Sequence, residues 1–187
     1  MGNLMSALGM LIAITAAMFE CCLDFTWVIV GLAIGAPIGL IAARTVKMTS
    51  MPQMVALLNG FGGIASLLVG WENYHSQPDS SLFVRVAVLL ALLIGGVAFS
   101  GSLIAYGKLA GTISGRPILI KRQALINIAI LVLALICSLS WLFAPGGFFA
   151  YLLFLLIIAL AMTLGVFGVM PIGGADMPVV IALLNSY

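Results

Sequence analysis

Phe148–Val169 reads FFAYLLFLLIIALAMTLGVFGV, twenty-two residues without a charge. The hydrocarbon core of a bilayer is about 30 Å thick and is crossed by about 20 apolar residues of α-helix. A run of that length and composition reads as a transmembrane helix. The surrounding chain has the same character: of its 187 residues 64% are hydrophobic and 6% charged, and its mean hydropathy is +1.33. Soluble domains carry about 25% charged residues, so this chain has too little charge to face water on all sides.

Working outward, similar runs occur at Leu4–Phe19, Phe25–Ala43, Met51–Trp71, Ser81–Leu109 and Gln123–Phe143, and a last one begins at Met177. The fold class this predicts is all-α, a polytopic transmembrane helix bundle of about six full helices and a truncated seventh. Turn chemistry fills the breaks, at Glu20 to Asp24, Arg44 to Ser50, Glu72 to Ser80, Gly111 to Arg122, Ala144-Pro-Gly-Gly147 and Pro171-Ile-Gly-Gly174. The eleven residues from Met177 make about half a span, and a half-crossing leaves helix-end carbonyls unsatisfied in lipid. Residues 1–187 therefore read as one transmembrane domain of a longer protein, without a nucleotide-binding domain.

The charges set the orientation. Counted by alternating loops, one side receives Arg44, Lys47, Lys108, Arg116, Lys121 and Arg122, and the other only Arg85, with Glu20, Asp24, Glu72, Asp79 and His75. By the positive-inside rule the first side is cytoplasmic or its organellar equivalent. No basic run with interleaved aromatics argues for nucleic acid. Cys21, Cys22 and Cys137 have neither the count nor the spacing of a disulfide framework or metal site. The segment Met1 to Met5 lacks the charged start of a cleaved signal peptide, so the first run is expected to be retained.

One stretch occurs twice. Met51-Pro-Gln-Met-Val-Ala-Leu-Leu-Asn59 returns 126 residues later as Met177-Pro-Val-Val-Ile-Ala-Leu-Leu-Asn185, with six of nine positions identical. Four helices separate the two starts, so both copies leave the basic face in the same direction, a parallel repeat of a kind seen in transporters. Proline suits the first turn of a helix, where its missing N–H has no partner to lose. Ser50 and Gln53 have capping-box spacing in the first copy. In the second, Asp176 replaces Ser50 and reads either as a charged N-cap or, beside Gly173-Gly174, as a proton gate at the mouth of the bundle.

Asn59 and Asn185 each lie seven residues past the proline, about 10 Å along the helix. An unpaired carboxamide at that depth costs several kcal/mol, so each is expected to face other helices or water. Two readings stand open: the amides fasten helices together, or they line a polar path. Asn does not titrate in the useful range, so in such a path it holds water or orients a neighbour. Gly60-Phe-Gly-Gly-Ile-Ala65 matches the dinucleotide pattern by letter but lies inside a transmembrane run, without the strand that pattern requires. It reads as small residues allowing close helix approach, as do Gly31, Gly35 and Gly39, with a bend expected at Pro37. His75, beside charged loop residues, reads as solvated.

Gly174-Ala-Asp-Met-Pro-Val-Val-Ile181 with Leu184-Asn-Ser-Tyr187, and Phe99-Ser-Gly-Ser-Leu-Ile-Ala-Tyr-Gly-Lys-Leu109 with Arg116-Pro117, are similar to motifs of the membrane domain of the proton-translocating NAD(P) transhydrogenase beta subunit. Met51-Pro52 through Gly63, and Gly2-Asn3 with Leu8-Gly9-Met10, match in order, so the resemblance covers essentially the whole chain. That family couples hydride transfer between NAD(H) and NADP(H) to proton translocation across a bacterial or mitochondrial inner membrane. The resemblance implies that NAD(H) and NADP(H) bind on other domains of the complex and that this chain binds neither. The implied partners are alpha-subunit membrane helices, an NADP(H)-binding domain, and a second copy of the complex in a homodimer. The implied site consists of Asp176, facing the NADP(H)-binding domain, Asn185 in the channel, and Asn59 where many members have a channel histidine. Some members supply a histidine from a neighbouring alpha-subunit helix instead. The expected location is the bacterial inner membrane, ahead of the mitochondrial one. The alternatives are a small multi-pass transporter or channel unrelated to dehydrogenases, and a scaffold whose amides only pack.

Overall fold

A computed structural model describes residues 2–19, 25–77, 80–144 and 146–186 of the chain. The Cys21–Cys22 pair, Glu20, Asp24 and Asp79 lie outside the described residues. Among the described residues there are seven α-helices: α1 (Gly2–Met18), α2 (Phe25–Thr45), α3 (Met51–Ser76), α4 (Leu82–Leu109), α5 (Gln123–Leu142), α6 (Gly147–Val169) and α7 (Met177–Asn185). Helices α2 to α6 are long and apolar enough to cross a bilayer. At 17 and 9 residues, α1 and α7 are shorter.

The chain forms two compact units, Met1–Lys47 and Met48–Tyr187. In the first, α2 runs through Pro37 as one helix and carries Arg44 in its last turn, a cation placed favourably against the last carbonyls. Its glycine ridge has no packing partner within that unit, because a Cβ built on Gly31, Gly35 or Gly39 meets no atom within 4 Å.

In the second unit α4 is the hub, packed on α3, α6 and α7 and more lightly on α5. Helices in hydrocarbon gain little from hiding apolar surface, so they associate through close van der Waals approach at small residues. At the α3–α4 crossing, a Cβ on Gly63 would lie 2.8 Å from the Gly95 carbonyl oxygen, and one on Gly95 would lie 2.6 Å from that of Gly63. At the α4–α6 crossing, a Cβ on Gly165 would run into Ser100 Oγ and lie 2.5 Å from the Val97 carbonyl oxygen. Gly60 and Gly63 of the declined dinucleotide pattern are both buried at the α3–α4 contact.

The α6 crossing gives a matched pair for a stability test. Gly165→Ala must push backbone apart, and overpacking of this kind costs about 1–3 kcal/mol. Gly168→Ala, three residues on, enters open space. Thermal unfolding in detergent should show a lowered Tm for the first and an unchanged or slightly raised Tm for the second. Equal Tm values would contradict the tight crossing.

The two cations of α4 are clamps at its ends, which the loop-by-loop charge count does not reveal. Arg85 donates from Nη2 to the carbonyls of Trp141 (2.7 Å) and Ala144 (3.4 Å) at the end of α5, with its guanidinium 5.0 Å from the Trp141 ring centroid. Lys108 donates to the carbonyls of Met170 and Ile172, just beyond α6. Both grip helix C-termini, where orphan carbonyls and the helix dipole favour positive charge. The topology makes this possible. Antiparallel α5 ends beside the start of α4, and parallel α6 ends beside its finish.

Candidate functional site

The polar centre of the second unit is a pair that spans α3 and α4. Asn59 Nδ2 donates to Ser102 Oγ at 2.8 Å, and Ser102 is fully buried. Ser102 lies seven residues before the end of α4, about 10 Å of helix, which is the depth of Asn59 below Pro52. Serines in membrane helices commonly bond back to their own chain, and Ser100 does so, to the Gly96 carbonyl at 2.9 Å. Ser102 is held from another helix instead. It lies within the Phe99–Leu109 motif but carries no signal by itself. Only its depth, equal to that of Asn59 on an antiparallel neighbour, marks it.

The two copies of the repeat start alike in three dimensions. Each begins with a 3-10 turn, Met48–Ser50 or Gly174–Asp176, followed by proline in the first helical turn. The residues before the helices have nearly the same backbone, φ −99°, ψ 2° at Ser50 and φ −91°, ψ −2° at Asp176. This conformation overturns both expected side-chain caps. An N-cap side chain reaches the N–H groups of the first turn from an extended backbone, whereas here the backbone is already curled. Neither Ser50 nor Asp176 makes a cap bond. Gln53, the expected capping-box partner, instead donates to the Leu109 carbonyl at 2.9 Å and ties the start of α3 to the end of α4.

The structure does not join the three residues singled out from sequence into one contact. Asn59 faces α4. Asn185, the last residue of α7, is exposed and lines an open groove of about 380 Å³ with Met51, Pro52 and Val55 of α3 and Pro178 and Ile181 of α7. Asp176 is exposed at the turn before α7. Among the described residues, neither side chain has a hydrogen-bond partner. The backbone around Asp176 is fixed, however. Gly174 N–H donates to the Gly115 carbonyl (2.8 Å), and Ile118 N–H to that of Met170 (3.2 Å).

A larger cavity, about 650 Å³, opens at the opposite end of the unit among Asn73, His75, Arg85, Trp141 and Tyr151. His75 is exposed, but it lies in the last turn of α3, which runs five residues past the expected end at Trp71, and not in a loop; its ring stacks on Trp71 at 5.6 Å and packs edge-on to Tyr74 and Tyr151. Along α3 and α4, buried Leu67 and Leu92, packed in one cluster with Phe154 and Ile157 of α6, lie between this cavity and the Asn59–Ser102 pair.

The family model for the NAD(P) transhydrogenase beta subunit matches residues 1–187, the whole chain. The chain belongs to that family. Two sequences from Rhodospirillum rubrum, each named NAD(P) transhydrogenase subunit beta, are 39% identical to it over 195 aligned positions that cover the entire chain. The chain spans 41% of the length of those relatives. Within the transhydrogenase beta family, this chain is a membrane-embedded helical part, as its five long apolar helices show.

Proposed function

We propose that this chain is the proton-conducting membrane part of an NAD(P) transhydrogenase. It couples proton translocation to hydride transfer between NAD(H) and NADP(H) held on other domains of the complex. The observation that carries this reading is the Asn59–Ser102 pair, an amide and a hydroxyl bonded across two helices about 10 Å below the basic face. Neither group titrates near neutrality, so the pair holds and orients water that passes a proton along. Asp176, exposed at that face, is the titrating gate in this scheme. The unrelated-transporter alternative has no support beside the family match.

The distribution of polar groups suits a coupled device. A polar zone lies near the basic face, a polar cavity opens at the far face, and a buried apolar layer at Leu67 and Leu92 lies between them along α3 and α4. A continuous water column would leak protons, whereas a dry layer makes passage depend on a structural change. Asn185 presents an amide to an open groove, and such a group is not left to lipid. Alpha-subunit membrane helices cover it, and an NADP(H)-binding domain meets the face that bears Asp176, Arg116, Lys121 and Arg122. The complex is a homodimer in a bacterial inner membrane.

In the intact complex, Asn185→Leu should lower proton-coupled reverse transhydrogenation in vesicles by about tenfold or more, since the site loses at least one hydrogen bond to water or partner. Unchanged coupling in this variant would remove Asn185 from the path.

A further inference from the structure

Lys108 is a buried ammonium, 4% exposed, at the end of the hub helix. Among the described residues no carboxylate pairs with it. A buried cation without a counter-ion is costly, and here two carbonyl oxygens and the negative end of the α6 dipole offset that cost. Their positions are informative. Met170 caps α6, and Ile172 lies two residues further, in the turn that runs through Gly173 and Gly174 to Asp176. The same turn is held by backbone bonds from Ile118 to Met170 and from Gly174 to Gly115. Lys108 is the one charged side chain in this set. The neighbouring Leu109 carbonyl takes the bond from Gln53, so the starts of both repeat helices are tied to one helix end.

We infer that Lys108 is a positioning residue for the proton-coupled step, latching the α6–α7 turn onto the end of α4 and thereby setting the place of Asp176. The inference rests on the reading of Asp176 as the gate. Any movement that carries Asp176 away from α4 must first stretch the Lys108–Ile172 bond. Asp176 and α7 therefore respond together to whatever docks on the basic face.

The test uses the intact complex in vesicles, with a spin label on a cysteine at the exposed position Ala175. Lys108→Met should raise label mobility and lower coupled hydride transfer about tenfold, the factor expected for a lost charge-assisted hydrogen bond. Lys108→Arg, which keeps charge and donors, should hold both close to the parent. Where Lys108→Met does not assemble, Lys108→Ala serves the same comparison, since it too removes both the charge and the donors. Adding Lys108→Met to Asp176→Asn should cost nothing further, because residues acting as one unit are not additive. Unchanged label mobility in the Met or Ala variant overturns the latch. A raised mobility with full coupling, together with a silent Asp176→Asn, leaves the clamp in place and overturns the gate reading on which the positioning role depends. A full multiplicative loss in the double variant means that Lys108 acts by another route and also overturns the proposal.

Discussion

Asn59→Leu should cost the protein little stability and nearly all of its proton flux. The substitution removes the 2.8 Å bond to Ser102, and intramembrane bonds of this type contribute only about 0.6–2 kcal/mol. Ser102 can recover part of that by turning back to a carbonyl of its own helix. The effect on transport is larger. With leucine in place of the amide, water at that depth loses its partners, and a polar group left unpaired in hydrocarbon costs several kcal/mol. At 1.36 kcal/mol per factor of ten, that is a fall of about 10²- to 10³-fold in coupled transhydrogenation. Ser102→Ala should fall in the same direction, since it removes the other half of the pair. If the amide only fastens helices, Asn59→Leu will instead lower Tm and leave transport in the surviving protein intact.

Asp176→Asn should be invisible in stability and severe in coupling. The side chain is exposed and bonds to nothing among the described residues, and surface substitutions of that kind stay within about ±0.5 kcal/mol. Asparagine matches its shape but cannot take up a proton. Positioned acid–base groups contribute about 10²–10⁴-fold, so coupled hydride transfer should drop by about 10²-fold at unchanged Tm. Asp176→Glu, which restores a titrating group, should recover most of it. Full activity in Asp176→Asn would assign the gate elsewhere.

Much of the fold is legible in the sequence because lipid leaves the backbone few options. Runs such as Phe148–Val169 become helices, and Gly-Pro punctuation ends them, as α6 and α4 show within a residue or two. The repeat is also legible, and its likeness extends to the 3-10 turns that begin both copies. The destination of long side chains is not. Gln53, Arg85 and Lys108 each have spacing or position that suggests a cap or a surface charge, and each reaches a carbonyl at or just past the end of another helix. Hydropathy records how apolar a segment is, and it carries no information about which helix end lies a side chain's length away. Ser102 escapes for the same reason, since its partner is 43 positions distant and on a different helix.

Asn185 shows a different limit. Its depth is fixed by its distance from Pro178, but the groove it lines between α3 and α7 is open, and its side chain has no hydrogen-bond partner among the described residues. A polar residue without a partner among the described residues can be located from one sequence but not explained by it. The glycine ridge of α2 is the same case, since among the described residues of its unit no atom lies within 4 Å of a Cβ built on Gly31, Gly35 or Gly39.

In the proposed function, water reaches the Asn59–Ser102 level from the basic face and stops at the layer of Leu67 and Leu92. The most direct measurement places a thiol there, Ser102→Cys, with Cys21, Cys22 and Cys137 replaced by serine, and exposes the complex in sealed vesicles to silver ion, which travels only where water does. The expected result is rapid loss of coupled hydride transfer when silver is added at the basic face, and little effect from the opposite face. If the thiol variant is no more sensitive than the parent with those three cysteines replaced, from either face, the site is dry and the proton takes another road.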